Sequence, residues 1–541
     1  MLQNCHLAKS WISSLELIVA NFAVEEESID PNFRLFLTSM PADYFPVSVL
    51  QNGVKLTTEP PRGLKANIMR SYDGISEKQI EESKAQVKKM MFGLCFFHAQ
   101  IQERRKFGPL GWNIKYEFND SDLDTSLTML PLLMEDQEDI PWEALLFVVG
   151  HITYGGRVTD DWDRRCLMSM LNKILNTKIL EDDYKFSDSG IYFAPADGTL
   201  KNYQEYIETL PLKDEPEVFG MHPNTNINFQ LLESDRIVST IMSIQPRVSV
   251  APGGKSPDEL IIEKCEEIEE KLPLLLDRAE GKKELFKTDA KGLLPSLSTV
   301  LVQELERFNK LLKVMGSTLV DLKKAIKGFI VMSEELDTMY NSLSIGVVPP
   351  NWEKVAYPSL KPFPTWFIDL IDRVEFMRKW LVNGEPSCFW ISGFFFPQGF
   401  LTGCLQTHAR KDQIAIDKLN FAFKVLDEEH TQIEEPPESG IYIYGLYFDG
   451  ARWDEDAGTI IEQKPGILYE SVPVIWFEPV IDYVPDPEEY SCPVYKTSVR
   501  AGVLSTTGQS TNFIIAVELP TKQAPSHWIR RGAAFLCQLN D

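Results

Sequence analysis

Apolar residues recur at different periods along this chain, and the changes of period mark out its parts. MLQNCHL opens with apolar positions. SWISSLELIVANF (10–22) follows with a helical apolar pattern behind a serine suited to cap it. FRLFLTSMP (33–41) is strand-like and stops at a proline, and FPVSVLQNG (45–53) and VKLTTEPP (54–61) come next. A β-α-β-α-β order predicts a parallel α/β sheet. The strands are too few for a complete doubly wound domain, and the sequence opens on a strand as if earlier ones were missing.

From about residue 75 to 245 the period is helical. KKMMFGLCFFHAQIQER (88–104) is one helix, and PWEALLFVVGHI (141–152) is a second, with Pro141 at its first position. DRRCLMSMLNKIL (163–175) places Leu167, Met170, Leu171 and Ile174 on one face. The loops between them, such as FGPLGWN (107–113) and YGGRVTDD (154–161), are rich in Gly, Pro and Asn. A Pro/Gly-rich hinge, QPRVSVAPGGKSP (245–257), marks a boundary. Beyond it, apolar positions step by four and three through Leu301, Leu305, Phe308, Leu312, Met315, Leu319, Leu322, Ile326 and Phe329 to Leu336, with one miss at Ser333. That spacing fits a long helix or helix pair, packed within the molecule rather than as a dimerising coiled coil. After about residue 420 short β-rich runs take over: 440–450, 471–480, 492–500 and 511–521. Gly, Pro and Asp separate them at the intervals of an antiparallel barrel or sandwich.

Bulk composition narrows the function classes. A chain of 541 residues with 44% hydrophobic and 25% charged residues is ordinary for a globular protein of three or four domains. Its formal charge of −25 disfavours nucleic acid and anionic lipid as direct partners, because binding a polyanion needs a basic surface. The eight cysteines form no CxxC pair, which points to a reducing compartment. The N-terminus lacks the basic and long apolar regions of a signal peptide. FWISGFFFPQGFLTGCL (389–405), broken by proline, glutamine and glycines, is core rather than a membrane span.

Candidate chemistry is sparse. Gly253-Gly254-Lys255-Ser256 has the ending of a phosphate-binding loop, but the first glycine of that motif would stand at 249, which is Ser249. Ser256-Pro257-Asp258-Glu259 is instead a capping box, followed by Ile261, Cys265, Ile268 and Leu272 on one helix face and Pro273 at its end. A metal- and water-polarising Asp-Glu after the first strand would fall at Gln3-Asn4, and neither can act as a general base. Cys404 and His408, four apart, read as packing and a surface histidine. Asp160, Asp161 and Asp163 beside Arg164 and Arg165 read as an acidic first helical turn with arginines pairing locally. No catalytic, cofactor-binding or metal-ligating residue is assigned.

Long strings nevertheless resemble the C-terminal end of dynein heavy chains. They include LQNCHLAKSW (2–11), FRLFLTSMP (33–41), FPVSVLQNGVKLTTEPPRGLKAN (45–67), FGLCFFHAQIQERRKFGPLGWNIKYEFNDSDL (92–123) and YGGRVTDDWDRR (154–165). Further on stand QPR (245–247), GGKSPDE (253–259), FWISGFFFPQGFLTGCLQTHARK (389–411), GIYIYGLYFDGARWD (440–454), CPVYKTSVRAGVLSTTGQSTNFI (492–514) and HWIRRGAAFLCQL (527–539). The match spans essentially the whole sequence. GPLGWNI and HWIRRG look axonemal rather than cytoplasmic, with an inner-arm type in view.

The resemblance implies a multidomain α/β + α + β protein. Residues 1–72 would be the second half of a degenerate sixth AAA+ module, 73–245 its helical lid, and 246–541 the C-terminal domain, with helices over 257–415 and an antiparallel β-barrel over 420–541. It implies a part of a minus-end-directed microtubule motor of the ciliary or flagellar axoneme, structural or regulatory in the ring, with ATP and Mg²⁺ held by upstream modules and no hydrolysis by these 541 residues alone. FRLFLTS would carry the sensor position near Thr38 or Ser39, without a catalytic partner. Implied partners are the rest of the ring and the intermediate, light intermediate and light chains. Microtubules are contacted only indirectly, and nucleic acid and membrane not at all. Met1 stands where the family has an internal strand residue, so the protein is expected to be a fragment, a truncated gene model or a short isoform. The competing expectation is a stand-alone scaffold without motor activity.

Overall fold

The computed structural model describes residues 1–24, 29–42, 44–57, 60–135, 139–244, 255–289, 291–503 and 510–540. The protein divides into two compact units, Met1–Pro61 and Arg62–Asp541. Most of the hinge expected at 245–257 lies outside the described residues.

In the first unit, helices Ile12–Val24 and Val47–Asn52 accompany a single parallel bridge between Leu2 and Leu37. Leu2 N–H donates to Phe36 O at 2.8 Å, and Thr38 N–H to Leu2 O at 2.9 Å. The parallel pairing expected from the β-α-β pattern is present, among the described residues only as this bridge. The strand expected over 54–61 is absent from its described residues, where Val54 and Leu56 stand in solvent. Parallel strands hold when both faces and both edges are covered, and one bridge between two segments offers neither.

The second unit begins with a helical layer. Ala85–Arg104 is buried on nearly every face, from Val87 through Ile101, as its almost continuous apolar run requires. Leu64–Asp73, Asp120–Met134, Asp161–Ile174 and Leu200–Thr209 pack around it or around one another. Leu167, Met170, Leu171 and Ile174 are all buried, as their spacing predicts. The helix expected over 141–152 is α-helical only for Trp142–Phe147 and continues as a π turn, Val148–Thr153; Pro141 is its N-cap, not its first residue.

Five longer helices follow: Pro257–Lys271, Ser296–Ile326, Glu334–Ile345, Phe363–Asn383 and Pro397–Asp412. Ser296–Ile326 buries Leu301, Leu305, Phe308, Leu312, Met315, Leu319 and Leu322 against the other four, so its four-three stripe serves intramolecular packing. The stripe ends sooner than the sequence suggests. Gly328 takes φ +77°, the backbone turns, and Phe329 is exposed; Leu336 resumes burial on the next helix.

The β-rich end forms separate sheets. One has the order Cys388–Trp390, Ile441–Tyr444, Ile475–Ile481, Leu419–Val425. A second has the order Phe513–Leu519, Tyr490–Tyr495, Ala534–Leu536, Tyr447–Asp449, Tyr469–Ser471. Arg452–Asp454 and Thr459–Ile461 make a small third sheet. No closed barrel is found among the described residues, and two pairings are parallel: Cys388–Trp390 on Ile441–Tyr444, and Ala534–Leu536 on Tyr490–Tyr495. Local alternation announces antiparallel neighbours joined by turns. It cannot announce a strand delivered by a distant helix, which is how both parallel strands arrive. The 389–405 window is core as expected, with Phe389, Phe394 and Phe400 buried together. No helix among the described residues is long and apolar enough to cross a membrane.

Candidate functional site

The phosphate-loop look-alike folds as a helix cap. Ser256 Oγ accepts from Glu259 N–H at 3.2 Å while Glu259 Oε2 accepts from Ser256 N–H at 2.8 Å, and Pro257 opens the helix. Lys255 pairs with Glu263, and Asp258 accepts from the Tyr340 hydroxyl at 2.8 Å. An N-terminus whose donors are taken and whose first turn carries two carboxylates repels phosphate rather than cradling it. Gly253 and Gly254 lie outside the described residues. At the other candidate nucleotide position, Gln3 and Asn4 are exposed, and Asn4 N–H donates to Thr38 Oγ1 at 3.1 Å. Ser39 Oγ donates to the carbonyl of Met40.

Cys404 is buried, its thiol pushed well up by burial and by Glu385, while His408 faces Asp412 at 3.2 Å and Ser439. Among the described residues no three His, Cys, Asp or Glu side chains gather as metal ligands.

The acidic first turn expected of the aspartate–arginine run is present, but its arginines are engaged differently. Asp160 is the N-cap, accepting from Asp163 N–H at 3.0 Å, and Asp161 lies in the first turn. Asp163 is buried and accepts from Asn113 N–H at 2.9 Å and Ile114 N–H at 3.1 Å. Burial and the neighbouring Asp160 raise its carboxyl to about 7. The arginines do not pair locally with these acids. Arg164 donates to Val158 O at 2.8 Å. Arg165 leaves the layer altogether, donating to Ser491 O at 2.8 Å and Tyr490 Oη at 3.1 Å, with its guanidinium 4.3 Å from the Trp162 ring centroid. Local pairing fails because Asp160 and Asp163 are already spent on backbone amides, whereas strand carbonyls lie within an arginine's reach.

Arg165 belongs to a seam between the helical layer and the C-terminal half. At its centre is Arg104, last residue of Ala85–Arg104 and fully buried. Arg104 donates to Gly111 O and Arg530 O at 2.8 Å each, to Leu110 O at 3.4 Å and to Phe219 O. Its acceptors are neutral carbonyls from three separate segments, and burial lowers its pKa. Asn113 Nδ2 donates to Tyr495 Oη at 2.8 Å and Asp160 Oδ1 at 3.2 Å. Asn224 acts as a clamp, donating to Lys464 O and Ile467 O and accepting from Gly466 N–H, all at 2.9 Å. Arg531 binds Gly220 O at 3.1 Å and both oxygens of Glu462, which His527 also contacts at 2.6 Å. Burial raises the Glu462 carboxyl, but the hydrogen bonds from His527 and Arg531, with the arginine's charge, outweigh it and hold the group at about 2.

Two glycines set how closely the halves approach. Gly532 has φ +70°, and a Cβ there would lie 2.7 Å from Leu110 O. Gly220 has φ +73°, and a Cβ would lie 2.7 Å from Arg530 Cβ. A cavity of about 30 Å³ remains among Arg104, Asn113, Asp163, Arg165, Tyr490 and Tyr495. It has room for water and none for a nucleotide. The arrangement fastens two layers together and brings no nucleophile to a base. Sequence reading missed Arg104, Asn113 and Asn224 as a group. The available signal was that GPLGWNI and HWIRRG stood out together, and the structure packs those segments against each other.

A small N-terminal unit of helices and one parallel bridge, a helical layer, and a helix-then-sheet domain latched to that layer correspond in order to three family models. Residues 1–57 match the dynein heavy chain region D6 P-loop domain, 87–225 the dynein heavy chain AAA lid domain, and 231–537 the C-terminal domain of the dynein heavy chain. The class is therefore a protein that joins an AAA lid to the C-terminal domain of a dynein heavy chain. With more than half its length under the C-terminal model alone, the chain belongs to the dynein heavy chain family.

It is 48% identical to dynein axonemal heavy chain 6 of Homo sapiens, over 100% of its own length and 14% of that protein. It is 47% identical to dynein axonemal heavy chain 1 of Rattus norvegicus, over 99% and 12%. It is also 47% identical to dynein axonemal heavy chain 12 of Mus musculus, over 100% and 18%. The sequence thus spans less than a fifth of the length of these relatives.

Proposed function

We propose that this protein is the non-hydrolysing C-terminal part of an axonemal dynein heavy chain, a structural and regulatory element of a minus-end-directed microtubule motor in cilia or flagella. The observation that carries the proposal is the seam built on Arg104, which couples the AAA lid to the C-terminal domain through backbone carbonyls of both. Such a joint transmits movement of the lid into the domain without chemistry of its own. In this account 1–72 is the half-module, 73–245 its lid and 246–541 the domain beyond. The two larger sheets, which touch where Phe513–Leu519 meets Leu419–Val425, are read as halves of the barrel expected over 420–541.

ATP and Mg²⁺ belong to upstream modules. The partners are the rest of the heavy-chain ring and the intermediate, light intermediate and light chains, and microtubules are reached only through other parts of the motor. The capped helix at Ser256 and the exposed Gln3-Asn4 support this assignment. No specific observation favours a stand-alone scaffold.

The test pairs two measurements. Calorimetric titration of the 541-residue protein with Mg-ATP is expected to give no binding. In the full-length heavy chain, Arg104→Gln is expected to leave basal ATPase within about twofold while microtubule gliding slows several-fold. Tight Mg-ATP binding by the 541-residue protein, or gliding unchanged in that variant, would overturn the proposal.

A further inference from the structure

The seam carries more cations than its own carboxylates neutralise. Arg104, Arg165 and Arg500 all line the cavity of about 30 Å³ between the helical layer and the C-terminal half. Burial chiefly, with the like charge of Arg500 adding to it, lowers the pKa of Arg104. Among the described residues, Arg500 is the one of the three paired with a carboxylate, Asp449 at 2.9 Å; Arg104 and Arg165 donate to neutral oxygens. Asp163, the carboxylate on the cavity wall, already accepts two backbone amides and is raised to about 7, chiefly by burial, so near neutrality it offsets only part of the charge. Two donors on the same wall are unspent. Arg500 Nε is buried without an acceptor. Tyr495 Oη accepts from Asn113 Nδ2 at 2.8 Å, and among the described residues its own proton meets no acceptor. The two groups are neighbours, with the Arg500 guanidinium 5.6 Å from the Tyr495 ring centroid. Tyr490, by contrast, is satisfied, accepting from Arg165 at 3.1 Å and donating to Ala533 O at 2.6 Å.

We propose that this cavity binds a single halide-sized anion, with chloride as the natural occupant, held by Arg500 Nε–H and Tyr495 Oη–H and neutralising the guanidinium cluster. A buried guanidinium N–H left bare is costly, and buried cations are tolerated where opposite charge meets them. The space admits a species about the size of water and is too small for phosphate, sulfate or a carboxylate-bearing molecule. Three guanidiniums repel a metal cation. A water molecule would bring two protons of its own to a wall where donors are already in surplus, whereas a halide only accepts. The anion is then a component of the seam, because Arg104 and Arg165 come from the helical layer, and Tyr495 and Arg500 from the C-terminal half. The site is built wholly within these 541 residues and stands or falls separately from the motor assignment.

The test uses bromide, which follows chloride chemically and scatters anomalously. Crystals of the 541-residue protein grown in sodium bromide are expected to show an anomalous peak in the cavity, within hydrogen-bond reach of Arg500 Nε and Tyr495 Oη. In solution, exchanging gluconate for chloride at constant ionic strength is expected to raise the thermal midpoint by several degrees, saturably, with half the effect reached at low-millimolar chloride. Tyr495→Phe keeps the ring and removes one donor; Arg500→Lys keeps the charge and removes the Nε–H. Each is expected to raise the half-saturating chloride concentration at least about tenfold. A cavity that refines as water without anomalous signal, bromide peaks at the surface alone (an adventitious ion only), or a chloride response unchanged in both variants overturns the site. If neither variant folds, the bromide map of the parent protein decides, a cavity peak supporting the site and its absence overturning it.

Discussion

Replacing Arg104 by methionine tests whether the seam is energetically real. Methionine keeps most of the volume, so the change removes donors without opening a large void. It strips the carbonyls of Gly111, Phe219 and Arg530 of their partner, and Leu110 of a longer contact. Each buried acceptor left bare costs about 1–3 kcal/mol, giving a gross loss of roughly 3–9 kcal/mol for the three good bonds. Against this stands the desolvation of a guanidinium buried without a carboxylate, worth several kcal/mol, which the variant no longer bears. The net expectation is destabilisation of about 2–4 kcal/mol. Lysine is no rescue: a single ammonium cannot reach carbonyls on three segments, so Arg104→Lys is expected to be at least as damaging. The assay is urea denaturation with hydrogen exchange read at peptide resolution. Residues 107–113 and 525–532 are expected to lose protection together, because Arg104 joins them. A variant within about 0.5 kcal/mol of the parent, or one in which only one of the two segments loosens, would refute the reasoning.

Stability is expected to be greatest in mildly acidic solution. Glu462, held at about 2, contributes above its ordinary carboxylate range, and its contribution is lost as pH falls through that range toward 2. Asp163, raised to about 7, binds a proton more readily folded than unfolded, so its contribution is greatest near and below its ordinary carboxylate range and declines as pH rises to 7. Urea midpoints taken from about pH 3 to 8 check this, and Glu462→Gln is expected to flatten the acid limb. Gly532→Ala forces a side chain into the left-handed region against Leu110 O and is expected to cost about 2–3 kcal/mol, read as a lowered thermal midpoint. Ser256→Ala removes one half of a capping box and is expected to cost about 1 kcal/mol, seen as faster amide exchange at the start of Pro257–Lys271, with no change toward Mg-ATP.

The local elements were largely legible. Four-three spacing located Ser296–Ile326, and a serine–proline–glutamate pattern located the helix that starts at Pro257, because helical periodicity and capping are determined by neighbours within one or two turns. The same local chemistry ruled against a phosphate loop at Gly253–Ser256. Misses came where the decision is non-local. Phe329 kept the apolar stripe's spacing but was turned outward by the left-handed stop at Gly328. Val54 and Leu56 alternate like a strand, yet a strand exists only when a partner accepts its hydrogen bonds.

Sequence by itself therefore determined where the long Ser296–Ile326 helix runs, the capping box at Ser256 and the resemblance that names the family. Tertiary structure alone decided which charges matter. In the run QERRKF, Arg104 and Arg105 are indistinguishable on paper, but only Arg104 ends its helix facing the carbonyls of Gly111, Phe219 and Arg530. A buried cation is tolerated where oxygen atoms from distant segments converge on it, and convergence across 426 positions of sequence is a property of the folded molecule.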